Sequence, residues 1–388
     1  MTVGVPTDTH PDERRVPLVP SVVPMLAKSG ASVVMQRGAG DAAGFPRALY
    51  EEQGVRFLDD RAQLFKESDV LVRLRGFKDS DADLPFLHSG QIVLGLLNPY
   101  HSHGAVRTLA ERGVTAFALE FLPRIARSQS MDALTSMASL SGYKAVLIAS
   151  HELNKIFPMT ITAAGAISAA KVFVVGAGVA GLQAIATARR LGAVVQAYDV
   201  RPIAKEQVES LGGKFVELTL ETKGSETAGG YAKDLGEDFY KRQREMMLKV
   251  VAECDVVITT AAIPGKKSPI LVTKEMVEGM KPGSVLVDLA AEGGGNCELT
   301  KAGETVNFNG VAIIGPVNLP STIAYHASQM YARNITAFLQ NIMKDGKLAL
   351  DFEDQIVRES LLTHNGEVVN PQMRTALGLP ALNPPGAA

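Results

Sequence analysis

Gly176, Gly178 and Gly181 stand at G-x-G-x-x-G spacing directly after a short apolar, β-branched run, Lys171–Val175. That run reads as a buried strand of a parallel sheet. Gly176 allows the tight turn out of it, Gly178 lets backbone approach a pyrophosphate, and Gly181 lets the following helix lie close on the sheet. Phosphates would sit at that helix's N-terminus. The helix carries Leu182, Ile185, Ala186 and Leu191 on roughly one face and stops at Gly192, an expected glycine cap. A second strand, 193–198, then delivers Asp199, about 20 residues past the glycines, where a carboxylate accepts the ribose 2′-hydroxyl of NAD and repels the 2′-phosphate of NADP. Arg201 weakens that preference slightly. The alternative, a glycine-rich turn in an α/β core, leaves Asp199 unexplained.

The elements that must position these residues are those of a soluble globular chain. Its 388 residues suggest two domains. Hydrophobic residues make up 46% and charged residues 21%, with a net charge of −2, which gives no reason to expect nucleic acid or an anionic membrane as a direct partner. Two cysteines, Cys254 and Cys297, are too few for a disulfide framework, and the plain reading is a reducing cytoplasm, with Cys254 in the core. The N-terminus lacks the basic start and apolar stretch of a signal peptide. The longest apolar window, 172–188, contains the glycine motif and falls short of the roughly 20 residues of a membrane span.

Residues 2–121 alternate strand-like and helix-like segments. Strands are expected at 2–5, 31–35, 70–74, 92–97 and 114–119, and helices near 20–29, 46–53, 61–68 and 104–112, the pattern of a doubly wound parallel sheet. This half has no glycine fingerprint and is expected to face the nicotinamide. Arg14 and Arg15 in its first loop are either a solvated charge cluster or an anion-binding pair. Residues 132–156 show a long helical period, the connector between halves. Just before it, 123–131 gather Arg124, Arg127, Gln129 and Ser130 at a hinge, where pockets are favoured. Strands at 213–218, 255–262, 284–289 and 311–314 complete a nucleotide-binding domain. The expected fold is α/β with two doubly wound parallel-sheet domains: 131–324 the Rossmann domain, 1–130 with 325–388 the other, completed by the C-terminal segment.

Other segments are less specific. Residues 221–230 are polar and glycine-rich, a candidate mobile loop with Tyr231 at its edge. Residues 288–296 are glycine-rich enough to approach a ligand, and Glu292 is as often a cap as a catalyst. The proline-rich tail is expected to be disordered. His101 and His103 have no neighbours that complete a metal site, and neither a metalloprotease spacing nor a G-x-S-x-G elbow occurs.

Three stretches, PRIARSQSMD from Pro123, AGVAGLQAIATARRLGAVVQAYDVRPIAKEQVESLGG from Ala177 and ETAGGYAK from Glu226, resemble the NAD(H)-binding domain I, or soluble alpha subunit, of proton-translocating NAD(P) transhydrogenases. The resemblance covers essentially the whole chain, and the N-terminal VGVPTDTHPDERRVPLVP is also similar to alanine dehydrogenase, which shares the fold. It implies that Arg124, Gln129 and Asp132 surround the nicotinamide end, with Gln129 placing it for hydride transfer. It also implies that Gly176, Gly178, Val179 and Gly181 hold the pyrophosphate, and Asp199, Val200 and Arg201 the adenosine ribose. Gly230 and Tyr231 would belong to a loop that folds over the cofactor, and Ala262 would border the adenine. Where the family often has serine after Asp132, this chain has Thr135, which keeps the hydroxyl.

The two relatives differ in chemical demand. An amino-acid dehydrogenase needs a general acid/base and a cation for its substrate carboxylate. That family places a histidine and a lysine where this chain reads Leu96 and Arg75. Transhydrogenation passes hydride directly between two nicotinamides and needs only proximity, orientation and exclusion of water. The resemblance thus implies NAD(H) here, NADP(H) on a partner subunit, a homodimer, and a separate membrane component that couples transfer to protons. This chain would be attached to the membrane only through those partners. A soluble alanine-type dehydrogenase and a binding-only NAD sensor are the competing readings.

Overall fold

A computed structural model describes residues 1–217, 237–262 and 265–382. The chain divides into two compact units, one formed by Met1–Met137 with Pro320–Ala388, the other by the intervening Ala138–Leu319.

In the first unit β1 (Thr2–Val5), β2 (Ser32–Gln36), β3 (Arg56–Leu58), β4 (Val70–Arg73), β5 (Ile92–Gly95) and β6 (Thr115–Ala118) run parallel in the order β3-β2-β1-β4-β5-β6. The chain winds outward from β1 in one direction and resumes at β4 on the other side. The carboxyl ends of β1 and β4 therefore flank a topological switch point, where open α/β sheets leave a crevice. β3 is an edge strand too short to leave a periodic signal.

The second unit begins within the helix Ala133–Glu152, which is followed by an exposed hairpin, β7 (Thr160–Thr162) and β8 (Gly165–Ile167). Its sheet then takes β9 (Lys171–Val175), β10 (Val194–Tyr198), β11 (Lys214–Phe215), β12 (Val256–Thr259), β13 (Val285–Asp288), β14 (Thr305–Phe308) and β15 (Val311–Ile314) in the order β11-β10-β9-β12-β13-β15-β14. The chain winds from β9 outward through β10 to β11 and resumes at β12 on the other side, so the switch point lies between β9 and β12. Alternate residues of β9 feed two cores. Val172 and Val174 pack with Ala184, Ile185 and Ala188 of the helix Val179–Arg190, while Phe173 and Val175 pack with Met247 and Val251 on the other face. A strand buried on both faces has no polar alternation, which is why this run is continuously apolar.

The chain re-enters the first unit through the helix Ala324–Asn341, whose Ala327, Tyr331, Ile335 and Phe338 are fully buried. After a short hairpin, β16 (Met343–Lys344) with β17 (Lys347–Leu348), β18 (Leu361–His364) pairs antiparallel with β6 and β19 (Glu367–Val368) with β18. The C-terminal segment thus completes the first sheet. Both sheets depart from a wholly parallel plan at one edge, at β14 and at β18–β19. The tail is ordered further than its proline content predicts. Leu377 and Leu379 pack on the first unit's core, and Arg374 Nε donates to the Pro380 carbonyl at 2.5 Å. Residues 383–388 lie outside the described residues.

Candidate functional site

The three glycines of the fingerprint are required for three different reasons. Gly176 has φ +99°, the left-handed region that favours glycine. A Cβ on Gly181 would lie 1.8 Å from the Gly176 carbonyl oxygen, so the helix Val179–Arg190 starts against the turn only because that carbon is absent. At Gly178 the nearest atom to such a carbon is an Arg201 guanidinium nitrogen at 4.0 Å. The protein leaves room there, beside a helix N-terminus that has no side-chain cap. Room and a positive helix end together fit a pyrophosphate.

The same constraint turns the helix. The sequence places Leu182 and Ala186 on its buried face, whereas the structure buries Gly181, Ala184, Ile185 and Ala188 and leaves Leu182 and Ala186 partly covered. Contact at Gly181 turns the small residues to the sheet. The helix Ala133–Glu152 closes in similarly, since a Cβ on Gly142 would meet the Ala180 carbonyl oxygen at 2.0 Å. Gly192, at φ +89°, ends the helix as expected.

Asp199 follows β10 at the predicted distance, but its carboxylate is already engaged. Oδ2 accepts from the Ala177 N–H at 2.7 Å and from Arg201 Nη2 at 2.9 Å, and Oδ1 from the Arg201 N–H at 2.8 Å and Arg201 Nε at 2.9 Å. These donors fill the carboxylate's lone pairs, so a ribose hydroxyl would bond to Asp199 by displacing one of them. Val200 is half-buried and packs beside the core containing Phe173.

Sequence reasoning missed the group that fixes the other lip of this switch point. The Thr260 hydroxyl, just past β12, donates to the Gly176 carbonyl at 3.0 Å. Asn296 clamps the next residue, its Oδ1 accepting from the Ala261 N–H at 2.9 Å and its Nδ2 donating to the Ala261 carbonyl at 2.8 Å. Asn296 is held in turn by Asp288, a fully buried carboxylate that also accepts from Thr259, Ala290, Cys297 and Thr300. The signal available was an acid and an amide eight residues apart around three glycines. Ala262, next along, is exposed. Glu292 accepts from the Asn318 N–H at 2.6 Å.

In the first unit the 3-10 turn Ala126–Met131 carries Gln129, which is exposed, as is Arg124. Asp132 caps the helix Ala133–Glu152, accepting from the Thr135 N–H at 2.8 Å and the Thr135 hydroxyl at 2.5 Å. Gly230 and Tyr231 lie outside the described residues.

Arg14 and Arg15 do not act as a pair. Arg14 is exposed, whereas Arg15 is buried and holds Glu13 bidentately, through Nε at 2.7 Å and Nη2 at 2.6 Å. Around the first unit's switch point Arg73 bonds Asp83 at 2.9 Å, Arg61 bonds Asp83, and Arg75 reaches Glu13 at 3.3 Å. The crevice lined by Thr7, Asp8, Arg15 and Arg73 is left with about 10 Å³, the room of a single water. Leu96 donates its N–H to the Tyr331 hydroxyl at 3.1 Å, and His101 Nδ1 lies 2.9 Å from Asn98 Oδ1.

Residues 4–141 match the family model described as alanine dehydrogenase/PNT, N-terminal domain, and residues 145–371 its C-terminal domain counterpart. The first piece of the NAD(P) transhydrogenase alpha subunit of Rhodospirillum rubrum is 43% identical over 379 residues, covering 96% of this chain and 99% of that protein. Alanine dehydrogenase of Bacillus subtilis is 27% identical over 387 residues, covering 97% and 95%. A solved transhydrogenase structure from Sinorhizobium meliloti matches with a TM-score of 0.82 at 41% identity, covering 96% of this chain and 100% of that one.

Proposed function

This chain belongs to the alanine dehydrogenase/PNT family, and on that premise we propose that it is the NAD(H)-binding subunit of a proton-translocating NAD(P) transhydrogenase. Hydride passes between NAD(H) held here and NADP(H) held on a partner subunit. The observation that carries this reading is 43% identity to a transhydrogenase alpha subunit along nearly the whole of both chains, against 27% to an alanine dehydrogenase.

The chemistry agrees. A dehydrogenase acting on an amino acid requires a proton-transfer group and a cation available to a carboxylate. Leu96 has no titratable group, and Arg75, at the place of the dehydrogenases' lysine, is bonded to Glu13, as Arg15 is, while Arg73 is bonded to Asp83. Bound NAD(H) supplies a two-electron hydride carrier, and the protein's task is to bind, orient and exclude water. Gly176, Gly178, Val179 and Gly181 take the pyrophosphate, Asp199, Val200 and Arg201 the adenosine ribose, and Ala262 the adenine edge. Arg124, Gln129, Asp132 and Thr135 serve the nicotinamide end, while Gly230 and Tyr231 cover the cofactor. Proton movement belongs to a separate membrane component; among the described residues of this chain no helix is long and apolar enough to cross a membrane. The chain works as a homodimer on the cytoplasmic side, attached through those partners.

Gln129→Asn tests the placing role. NADH affinity should be retained while transfer to a partner-bound NADP falls about tenfold or more, as a misplaced reacting group does. An unchanged rate removes Gln129 from the mechanism.

A further inference from the structure

The 3-10 turn Ala126–Met131 is short, and such turns have poor hydrogen-bond geometry. It is nevertheless held from behind on both sides of Gln129. On one side the buried Asn334, on the helix Ala324–Asn341, donates its Nδ2 hydrogen to the Ser130 carbonyl at 2.8 Å. On the other, the Arg127 guanidinium bonds Asp354, which also accepts from Asn341 Nδ2 at 3.0 Å and caps the helix Gln355–Ser360 through the Ile356 N–H at 3.0 Å. Asn334 and Asn341 are seven residues apart, two turns along the same helix face. Between the two braces the buried Ser128 hydroxyl bonds to carbonyls just before the turn, those of Pro123 and Ile125. Gln129 thus projects from a backbone fixed on either side of it.

Asn334 is a costly choice for packing. Its Oδ1 is buried without a hydrogen-bond partner, a desolvation penalty that an aliphatic side chain would avoid. The amide is therefore retained for its donor. We propose that Asn334 and Asp354, both supplied by the returning C-terminal segment, are positioning residues that hold Gln129 for hydride transfer. This rests on the reading of Gln129 as the residue that places the nicotinamide.

The test is a double-mutant cycle on the transfer reaction with the NADP(H)-binding partner, with NADH affinity measured alongside. Asn334→Ala should lower kcat about tenfold with little change in the Kd for NADH, and should add less than about twofold when Gln129 is already alanine, because both changes remove one interaction chain. Asp354→Asn keeps an acceptor for Arg127 and should retain most of the rate that Asp354→Ala loses. Asn334→Asp lacks the donor when ionised, so its rate should recover as pH falls, unlike wild type. Losses that add independently, or a wild-type rate in Asn334→Ala while Gln129→Ala is slow, overturn the brace alone. A wild-type rate in Gln129→Ala overturns the role of Gln129 and the brace with it. If Asn334→Ala does not fold, Arg127→Ala, at an exposed side chain, completes the same cycle.

Discussion

Gly178 and Gly181 share a motif but not a cause, and substitution separates the two. A methyl group at Gly181 collides with the Gly176 carbonyl inside the protein, and overpacking of this kind costs about 1–3 kcal/mol or more. Gly181→Ala should therefore lower the Tm of the protein with no cofactor present. Gly178→Ala meets no protein atom within 4.0 Å except Arg201, so its Tm should stay near wild type while NADH affinity drops at least about tenfold. Thermal melts with and without NADH decide this, and a Gly178→Ala protein that binds NADH normally removes the pyrophosphate from that space. At Asp199 the relevant partner is Arg201, whose fork occupies both carboxylate oxygens. Arg201→Ala uncovers a carboxylate that repels a 2′-phosphate and removes a cation that attracts one. The ratio of NADP(H) to NAD(H) dissociation constants should rise about tenfold. An unchanged ratio would mean that the pair does not set nucleotide choice.

At the scale of elements, the turn after β5 depends on an acid from the next strand's end. Glu120 accepts from the Leu97 N–H at 3.1 Å and the Asn98 N–H at 2.5 Å, and Asn98 is left-handed at φ +48°. Burial pushes its carboxyl up from 4.5 to about 7, against the pull of those N–H bonds. A folded-state value above the unfolded one favours the protonated acid in the native state. Its contribution is complete below about pH 4.5 and is lost as pH rises through 7, on the order of 3 kcal/mol. Glu120→Gln keeps an acceptor without the charge and should flatten the stability profile between pH 5 and 7, measured by denaturant titration. A variant with the wild-type slope would contradict this. Strands such as β9 and β12 were legible because burial on both faces demands continuous apolar runs. β3 (RFL), β18 (LLTH) and β19 (EV) were not, because these short strands near the sheet's ends carry no continuous β-branched apolar run. The glycine triplet announced the switch point, but its opposite lip rests on Thr260, Asn296 and Asp288, whose hydrogen bonds join segments far apart in sequence. Likewise the helix cap at Asp132 follows from local spacing, whereas the Asn334 contact with Ser130 spans 204 residues.

For the whole molecule, the same doubly wound plan occurs twice with different outcomes at the switch point. In the second unit the crevice between β9 and β12 is left open by Gly178 beside an uncapped helix end. In the first, the corresponding place between β1 and β4 is lined by Thr7, Asp8, Arg15 and Arg73, with Arg15 bonded to Glu13 and Arg73 to Asp83. At the first unit's switch point Arg15 and Arg73 are thus committed to carboxylates of the chain itself. The most direct measurement is reduction of an NAD analogue by NADPH, with this protein alone, with an NADP(H)-binding transhydrogenase component alone, and with both. Turnover only in the combined mixture is the predicted result. No turnover by a protein shown to bind NADH, together with oxidation of NADH when pyruvate and ammonium are supplied, would contradict the account.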